Sequence, residues 1–387
     1  MSAAVFKPMA AIARLGYGVD VLCADSFLPQ LGMDSSLLPF VEDTFSKIIR
    51  LNPSGLIGKL QRRSRMFSNV PDLMTVLHRS AYEKLMDMDL TKYDGVMTWS
   101  PFHSINPVMV RVKKQRKNVN WIAQFSDPWA GNPLEVNRIT KFWNRWHEPH
   151  TVNAADFIVH SSAYSLDLML KNHPASVRSK CDVIPHVFNK RLYPQRPKVK
   201  NEKITLRYIG VMYGRRSPEP FFQALNILYE RRKDLKGALA VELIGQVPLT
   251  MLNSQSAQSL PKGTINNVPN VTYIESLEKM YDADILLLIE ADVRQNLFLP
   301  SKLSDYMGAN TPIVGIAPAG GSEDALKGLG CWHARPADIV GISQAIEGAV
   351  DYVKNASASG WCDEAFRLTF SGENVAKRFV RILEGLK

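Results

Sequence analysis

The sequence predicts an α/β protein built from two strand–helix units of similar size. Three observations predict it. Short β-branched or apolar runs alternate with longer helical stretches along the whole chain. A basic segment with two prolines, residues 189–200, interrupts that alternation midway. The 387 residues are 45% hydrophobic and 22% charged, a globular mix long enough for two or three domains and too apolar for a disordered chain.

The elements follow in order. A helix over residues 3–14 opens the chain and feeds a strand at 19–23. Doubly wound domains usually open on a buried strand and a Gly-rich turn. Here the first strand is lost, the start is misplaced, or the unit is built differently. Strands are expected at 95–99, 121–125, 157–160 and 182–184, with helices near 72–88, 104–115, 135–154 and 164–173. Beyond the linker, strands are expected at 204–209, 241–244, 271–274, 285–289 and 313–316. Helices belong near 218–233, 301–308, 339–353 and 371–385. Parallel sheets covered by helices result, and their ligands bind at the carboxyl ends of the strands and between the units.

Composition excludes several classes. The four cysteines, Cys23, Cys181, Cys331 and Cys362, are far apart and unpaired in spacing, so neither a disulfide framework nor a zinc site is expected. The strongest apolar run, residues 285–289, is far short of the ~20 residues that cross a bilayer. No apolar signal core follows the N-terminus, so a cytoplasmic protein is expected, with peripheral contact at the inner face of the membrane left open. Charge is uneven. Residues 1–200 hold 27 Lys/Arg and 16 Asp/Glu, a net of +11, and the remainder holds 20 and 21, a net of −1. The first half therefore suits an anionic partner, or simply uses its charge for solubility.

Three segments carry candidate chemistry. In residues 298–314, Ser301 can cap a new helix behind Pro300, and a helix N-terminus suits a phosphate. Lys302 adds a full charge, and Asp305 can take two ribose hydroxyls. The same residues also fit a capped helix with a surface Lys–Asp pair. In residues 208–220, Gly210 and Gly214 allow close backbone approach, and Arg215 and Arg216 offer guanidinium forks to phosphate. The spacing is neither a Walker loop nor a dinucleotide fingerprint, and a solvated turn is the alternative. In residues 120–133, Asp127 can orient a sugar or accept a hydroxyl proton, and Trp129 can stack on a sugar face; an Asx-type turn with a packed aromatic is the alternative.

These segments resemble glycosyltransferase family 4 and its relatives, enzymes with two Rossmann-like domains facing each other across a cleft, the GT-B fold. Leu299-Pro-Ser-Lys-Leu-Ser-Asp-Tyr-Met-Gly-Ala-Asn-Thr-Pro312 is similar to the family's P-S-K-x-x-[ED]-Y-x-x-x-G-x-P segment. Asp305 stands where the acid that binds the nucleotide ribose stands, and Asn310 replaces a usual Gly. Leu297 takes the place where many members carry a second Glu. The Gly214-Arg-Arg-Ser-Pro218 turn resembles the one that approaches the donor diphosphate, Arg216 being the better match. Residues 124–129 resemble D-x-R-D-P-W, with Gln124 and Ser126 in place of the first Asp and the Arg. Residues 183–186 resemble a hinge-proximal V-I-P-N, and the last helix resembles one that returns across the cleft.

The resemblance implies an acceptor-side domain over 1–189, a linker over 190–203, a nucleotide-sugar domain over 204–369 and a returning helix over 370–387. It implies transfer of a hexosyl-type sugar from a nucleotide diphosphate sugar, with retained configuration, during exopolysaccharide, capsule or O-antigen assembly. Asp127, Lys302 and Arg216 are the expected catalytic groups. Arg215, Arg216, Ser301, Lys302, Asp305, Gly210 and Gly214 are the expected donor-binding groups. No metal and no cofactor besides the donor co-substrate are expected, since basic residues can neutralise the diphosphate. A binding or scaffold protein that lost turnover, and a nucleotide-sugar epimerase, are the competing readings.

A lipid-linked acceptor at an anionic membrane is the second expected partner. Residues 46–67 hold six Lys/Arg and no acid. At ~100° per residue, Leu56, Ile57, Leu60 and Phe67 share an arc opposite Lys59, Arg62 and Arg65, as in an interfacial helix. Arg111, Lys113, Lys114, Arg116 and Lys117 form a second basic cluster. Packing of the apolar arc on a sheet explains the first pattern equally well. Nucleic acid is not an expected partner, because no recognised module is visible.

Overall fold

The computed structural model describes residues 2–25, 34–53, 71–100, 102–355 and 360–387, in two compact units. Of the described residues, unit 1 comprises those up to Asp25, those from Leu38 to His186 and Glu373–Lys387; unit 2 comprises Asp34–Leu37 and those from Val187 to Gly372.

Unit 1 opens on helix α1 (Ala3–Arg14) and strand β1 (Asp20–Ala24), where the sequence pattern places them. Helix α2 (Leu38–Thr44) and strand β2 (Lys47–Leu51) follow. Strand β2 pairs with β1 in parallel as a two-stranded sheet. A 3-10 turn over Leu73–Leu77, capped by Asp72, leads into α3 (His78–Asp87), so the helix expected from residue 72 starts later. Next come β3 (Val96–Trp99), α4 (Asn106–Gln115), β4 (Trp121–Phe125), α5 (Arg138–Ala154), β5 (Phe157–His160), α6 (Ala163–Leu170) and β6 (Cys181–Val183). Strands β3-β4-β5-β6 form a separate parallel sheet in that order. Among the described residues no strand joins β1 to β3, so this half is two sheets rather than one. Strand β4 is buried at all five positions, as a strand covered on both faces must be.

Unit 2 is a single parallel sheet. Its strands are β7 (Ile204–Ile209), β8 (Leu239–Ile244), β9 (Ile265–Val268), β10 (Ile285–Ile289), β11 (Ile313–Ile316) and β12 (Trp332–Ala334). The order is β12-β11-β10-β7-β8-β9, the doubly wound order that reverses between β7 and β10. The longer helices are α7 (Glu219–Arg231), α8 (Tyr273–Tyr281), α9 (Ser301–Ala309), α10 (Gly321–Leu329) and α11 (Ile339–Lys354). The core joins Leu206, Leu243 and Leu287 of the sheet to Phe221 and Leu225 of α7 and Ile346 of α11. The strand expected at 271–274 is instead the start of α8. Thr272 caps that helix and Glu275 completes a capping box, which overrides the β-branched run.

The expected linker is tied to unit 2. Tyr193 donates its hydroxyl to the Asp305 carbonyl at 2.8 Å, and Arg196 forks onto Asp282 at 2.9 and 2.6 Å. The last helix, α12 (Gly372–Gly385), groups from Glu373 onward with unit 1, where Arg378 donates to Asp182 at 2.8 Å. The expected interfacial helix falls mostly within residues 54–70, outside the described residues; its first residues form β2.

Candidate functional site

The reversal of strand order in unit 2 leaves a crevice past the carboxyl ends of β7 and β10. Two strand ends and one helix place side chains there. Gly210 directly follows strand β7, and its φ of 141° suits only glycine. A Cβ at that position would stand 2.5 Å from the Lys302 ammonium, so the missing side chain makes the room that the lysine head occupies. Lys302 enters from the first turn of α9, and its Nζ lies 4.2 Å from the ring centre of Tyr208 on β7. Burial, and then the positive charge of Arg216, lower its pKa to about 7 against the opposing charges of Glu290 and Asp305.

Arg216 comes from the turn between β7 and α7. Its Nη2 donates to Glu290 at 3.2 Å, and its Nε is buried with no partner among the described residues. Glu290 is the residue that follows β10, and it also accepts from the Asn296 amide at 3.2 Å. One carboxylate thus fixes the guanidinium beside a second cation, an arrangement that leaves unspent donors for an anion.

Helix α9 carries the third group. Asp305 is buried, with its Oδ1 accepting from the Tyr273 hydroxyl of α8 at 3.0 Å. The next residue, Tyr306, accepts from the Ile209 amide and donates to the Leu287 carbonyl, both at 3.2 Å. It therefore locks α9 to β7 and β10 together. Asn310 ends the helix at φ 51°, a left-handed position that Asn tolerates, and the Trp361 indole donates to its side chain at 2.9 Å.

The structure brings Gly210, Arg216 and Lys302 together around Tyr208, with Asp305 one turn along α9. Arg215 and Gly214 stand apart. Arg215 is exposed with only its carbonyl engaged, by Asp292, and Gly214 occupies an open turn. Ser301 corrects an expectation: Pro300 is the cap residue, no side chain caps the helix, and Ser301 is simply its first residue. Glu290, Tyr208, Tyr273 and Asn296 were not anticipated. The signal for Glu290 was available, because an acid directly after a fully buried apolar strand lies where ligands bind.

In unit 1, Asp127 lies just beyond β4 and accepts no hydrogen bond among the described residues. Burial alone pushes its pKa up. Its neighbours are occupied. Ser126 and Ser100 hydrogen-bond each other at 2.8 and 3.2 Å. Trp129 is buried against His103 at 5.0 Å and donates to Asn144 at 2.9 Å, so its ring is structural and does not lie open to a sugar. Among the described residues no group of three or more His, Cys, Asp or Glu is arranged to hold a metal.

No protein-family model matches the chain, and no curated protein matches its sequence. Solved structures match its fold. A glycosyltransferase from Rickettsia africae ESF-5 is 12% identical at a TM-score of 0.64, over 100% of this chain and 95% of that one. HepE from Anabaena, solved with UDP and glucose, is 12% identical at a TM-score of 0.66, over 99% and 96% of the two chains. Sucrose-phosphate synthase from Thermosynechococcus elongatus is 15% identical at 0.64, over 99% and 92%. At these identities the likeness establishes the architecture. The chain has the GT-B fold of glycosyltransferases, with two Rossmann-like units in one polypeptide.

Proposed function

We propose that the protein is a glycosyltransferase that moves a sugar from a nucleotide diphosphate sugar to an acceptor, with retained configuration. The observation that carries the reading is that Lys302, over the Tyr208 ring, and Arg216, over the Tyr213 ring, stand close enough at the switch point of unit 2 for one charge to act on the other, with Asp305 one turn away. Negative charge grows on the diphosphate as its bond to the sugar breaks, and two fixed cations stabilise that charge without a metal. Asp305, steadied by Tyr273, takes the ribose hydroxyls. Asp127 takes the acceptor side, where it orients the attacking hydroxyl and receives its proton. HepE, of the same fold, was solved with UDP and glucose, which favours a uridine nucleotide. The acceptor is a lipid-linked intermediate of surface polysaccharide assembly, met at the inner face of the membrane.

Isothermal titration with UDP and GDP tests the donor half. Binding of one of them, weakened in Lys302→Ala, is expected. Binding of neither, or unchanged binding in the variant, overturns it. A second reading, a nucleotide-sugar-binding protein without turnover, draws on the divided sheet of unit 1 and on Leu297. Release of free or transferred sugar by the purified chain removes that reading.

A further inference from the structure

Helix α5 buries Thr140, Asn144, Glu148, Thr151 and Val152 against unit 1. It is fastened there. The Trp129 indole donates to Asn144, the Ala130 amide donates to Glu148 at 2.7 Å, and Asn137 caps the first turn. Its other side is unusual. Ile139, Phe142 and Trp146 are 66%, 72% and 60% exposed, and at ~100° per residue they share an arc of about 60°. The loop that enters the helix adds Leu134 and Val136, 66% and 83% exposed. Scattered exposed apolar residues need no explanation, but a contiguous aromatic and aliphatic stripe does.

The charges beside the stripe say what covers it. Arg138, Lys141 and Arg145 are all exposed and lie on one flank of the arc; the helix carries no acid before Glu148, and Glu135 of the entering loop accepts from the Asn137 amide at 2.7 Å. Protein interfaces deplete charge at their apolar centre, whereas a helix with three cations directly beside Trp, Phe and Ile matches the boundary between acyl chains and anionic headgroups. We infer that the 134–146 surface is an anchor that lays α5 on an anionic lipid bilayer. Because α5 is already pinned through Trp129 and Glu148, little ordering remains to oppose binding. The second basic cluster expected from the sequence is mostly committed elsewhere. Lys113 pairs with Asp156 at 2.7 Å, Arg116 donates to the Met86 and Met88 carbonyls, and Arg111 lies over Tyr82.

The inference deepens the reading of a membrane-presented acceptor, and its test is separable from the donor chemistry. The full chain is sedimented with vesicles of phosphatidylcholine, alone or mixed with phosphatidylglycerol, and UDP binding is measured in parallel. At least a ~10-fold preference for the mixed vesicles is expected. A similar loss is expected in Phe142→Ser with Trp146→Ser, and in the triple variant Arg138→Glu, Lys141→Glu, Arg145→Glu. Melting temperature and UDP binding should match the parent. No preference for anionic vesicles, or parent-like sedimentation of the Phe142/Trp146 variant, overturns the anchor. So does a dimer in the ultracentrifuge that this variant abolishes without vesicle binding, which assigns the stripe to a second copy. Vesicle binding without UDP binding upholds the anchor and overturns the donor reading instead.

Discussion

Strands β4 and β10 are the same length, are buried at all five positions, and are each followed closely by an acid. The two acids live differently. Glu290 after β10 is held between Arg216 and Asn296, while Asp127 after β4 faces burial with no hydrogen-bond donor among the described residues. An acid whose lone pairs are filled from within serves the architecture of a site. An acid left with empty lone pairs and a raised pKa is a candidate to meet a substrate. Under the proposed function, Glu290 takes a positioning role and Asp127 the chemical one.

The contrast breaks first at Asp127. Replacing it with Asn should lower transfer by about 10²–10⁴-fold in a sugar-release assay. The variant should melt no lower than the parent at neutral pH. A raised pKa means that stability is lost as pH climbs from the ordinary carboxyl value through the folded one, so the full cost is present at higher pH, and Asn relieves it. A large drop in melting temperature would place Asp127 among the structural acids.

Glu290→Ala should do the opposite. It strands Arg216 beside Lys302, at a cost of about 3 kcal/mol, seen as a melting temperature lowered by several degrees. Glu290→Gln, which can still accept from Arg216, should lose less.

Lys302 sharpens the comparison through pH. With a pKa of about 7, it sheds its proton as pH rises, so nucleotide diphosphate affinity should fall between about pH 7 and 9 in titration. Lys302→Met should bind about tenfold more weakly at pH 7 and vary less with pH. The stability effect has the other sign. Between the folded pKa near 7 and the ordinary 10.5, the unfolded chain binds more protons, so this residue makes stability rise with pH, and Lys302→Met flattens that rise. Smallest is Tyr273→Phe, which removes one hydrogen bond to Asp305 and should weaken nucleotide binding by about fivefold.

Much of this was legible in the sequence. Strands 121–125, 157–160, 204–209, 285–289 and 313–316 fall where the apolar runs lie, because strands buried on both faces are apolar throughout. The missed strands, Lys47–Leu51, Ile265–Val268 and Trp332–Ala334, all lie at sheet edges, where solvent admits polar residues and blurs the pattern. Lys302, Arg216 and Asp305 were readable because helix starts and glycine turns leave local signatures. Glu290 left a local signal, an acid directly after a buried apolar strand, but Tyr208 and Tyr273 left none, since they join the group through a crossing of strand order that no local window contains. The stripe on α5 was also hidden. Periodicity marks an apolar face but does not say whether a sheet or the solvent meets it.

Tyr306 leaves the crevice with one mechanical degree of freedom fewer. A single phenolic oxygen bridges the Ile209 amide and the Leu287 carbonyl, so α9 cannot slide lengthwise without dragging two neighbouring strands. Lysine head, glycine notch and the Asp305 carboxylate travel as one rigid block, and the slowest deuterium exchange in this half of the chain should be found at the Ile209 amide.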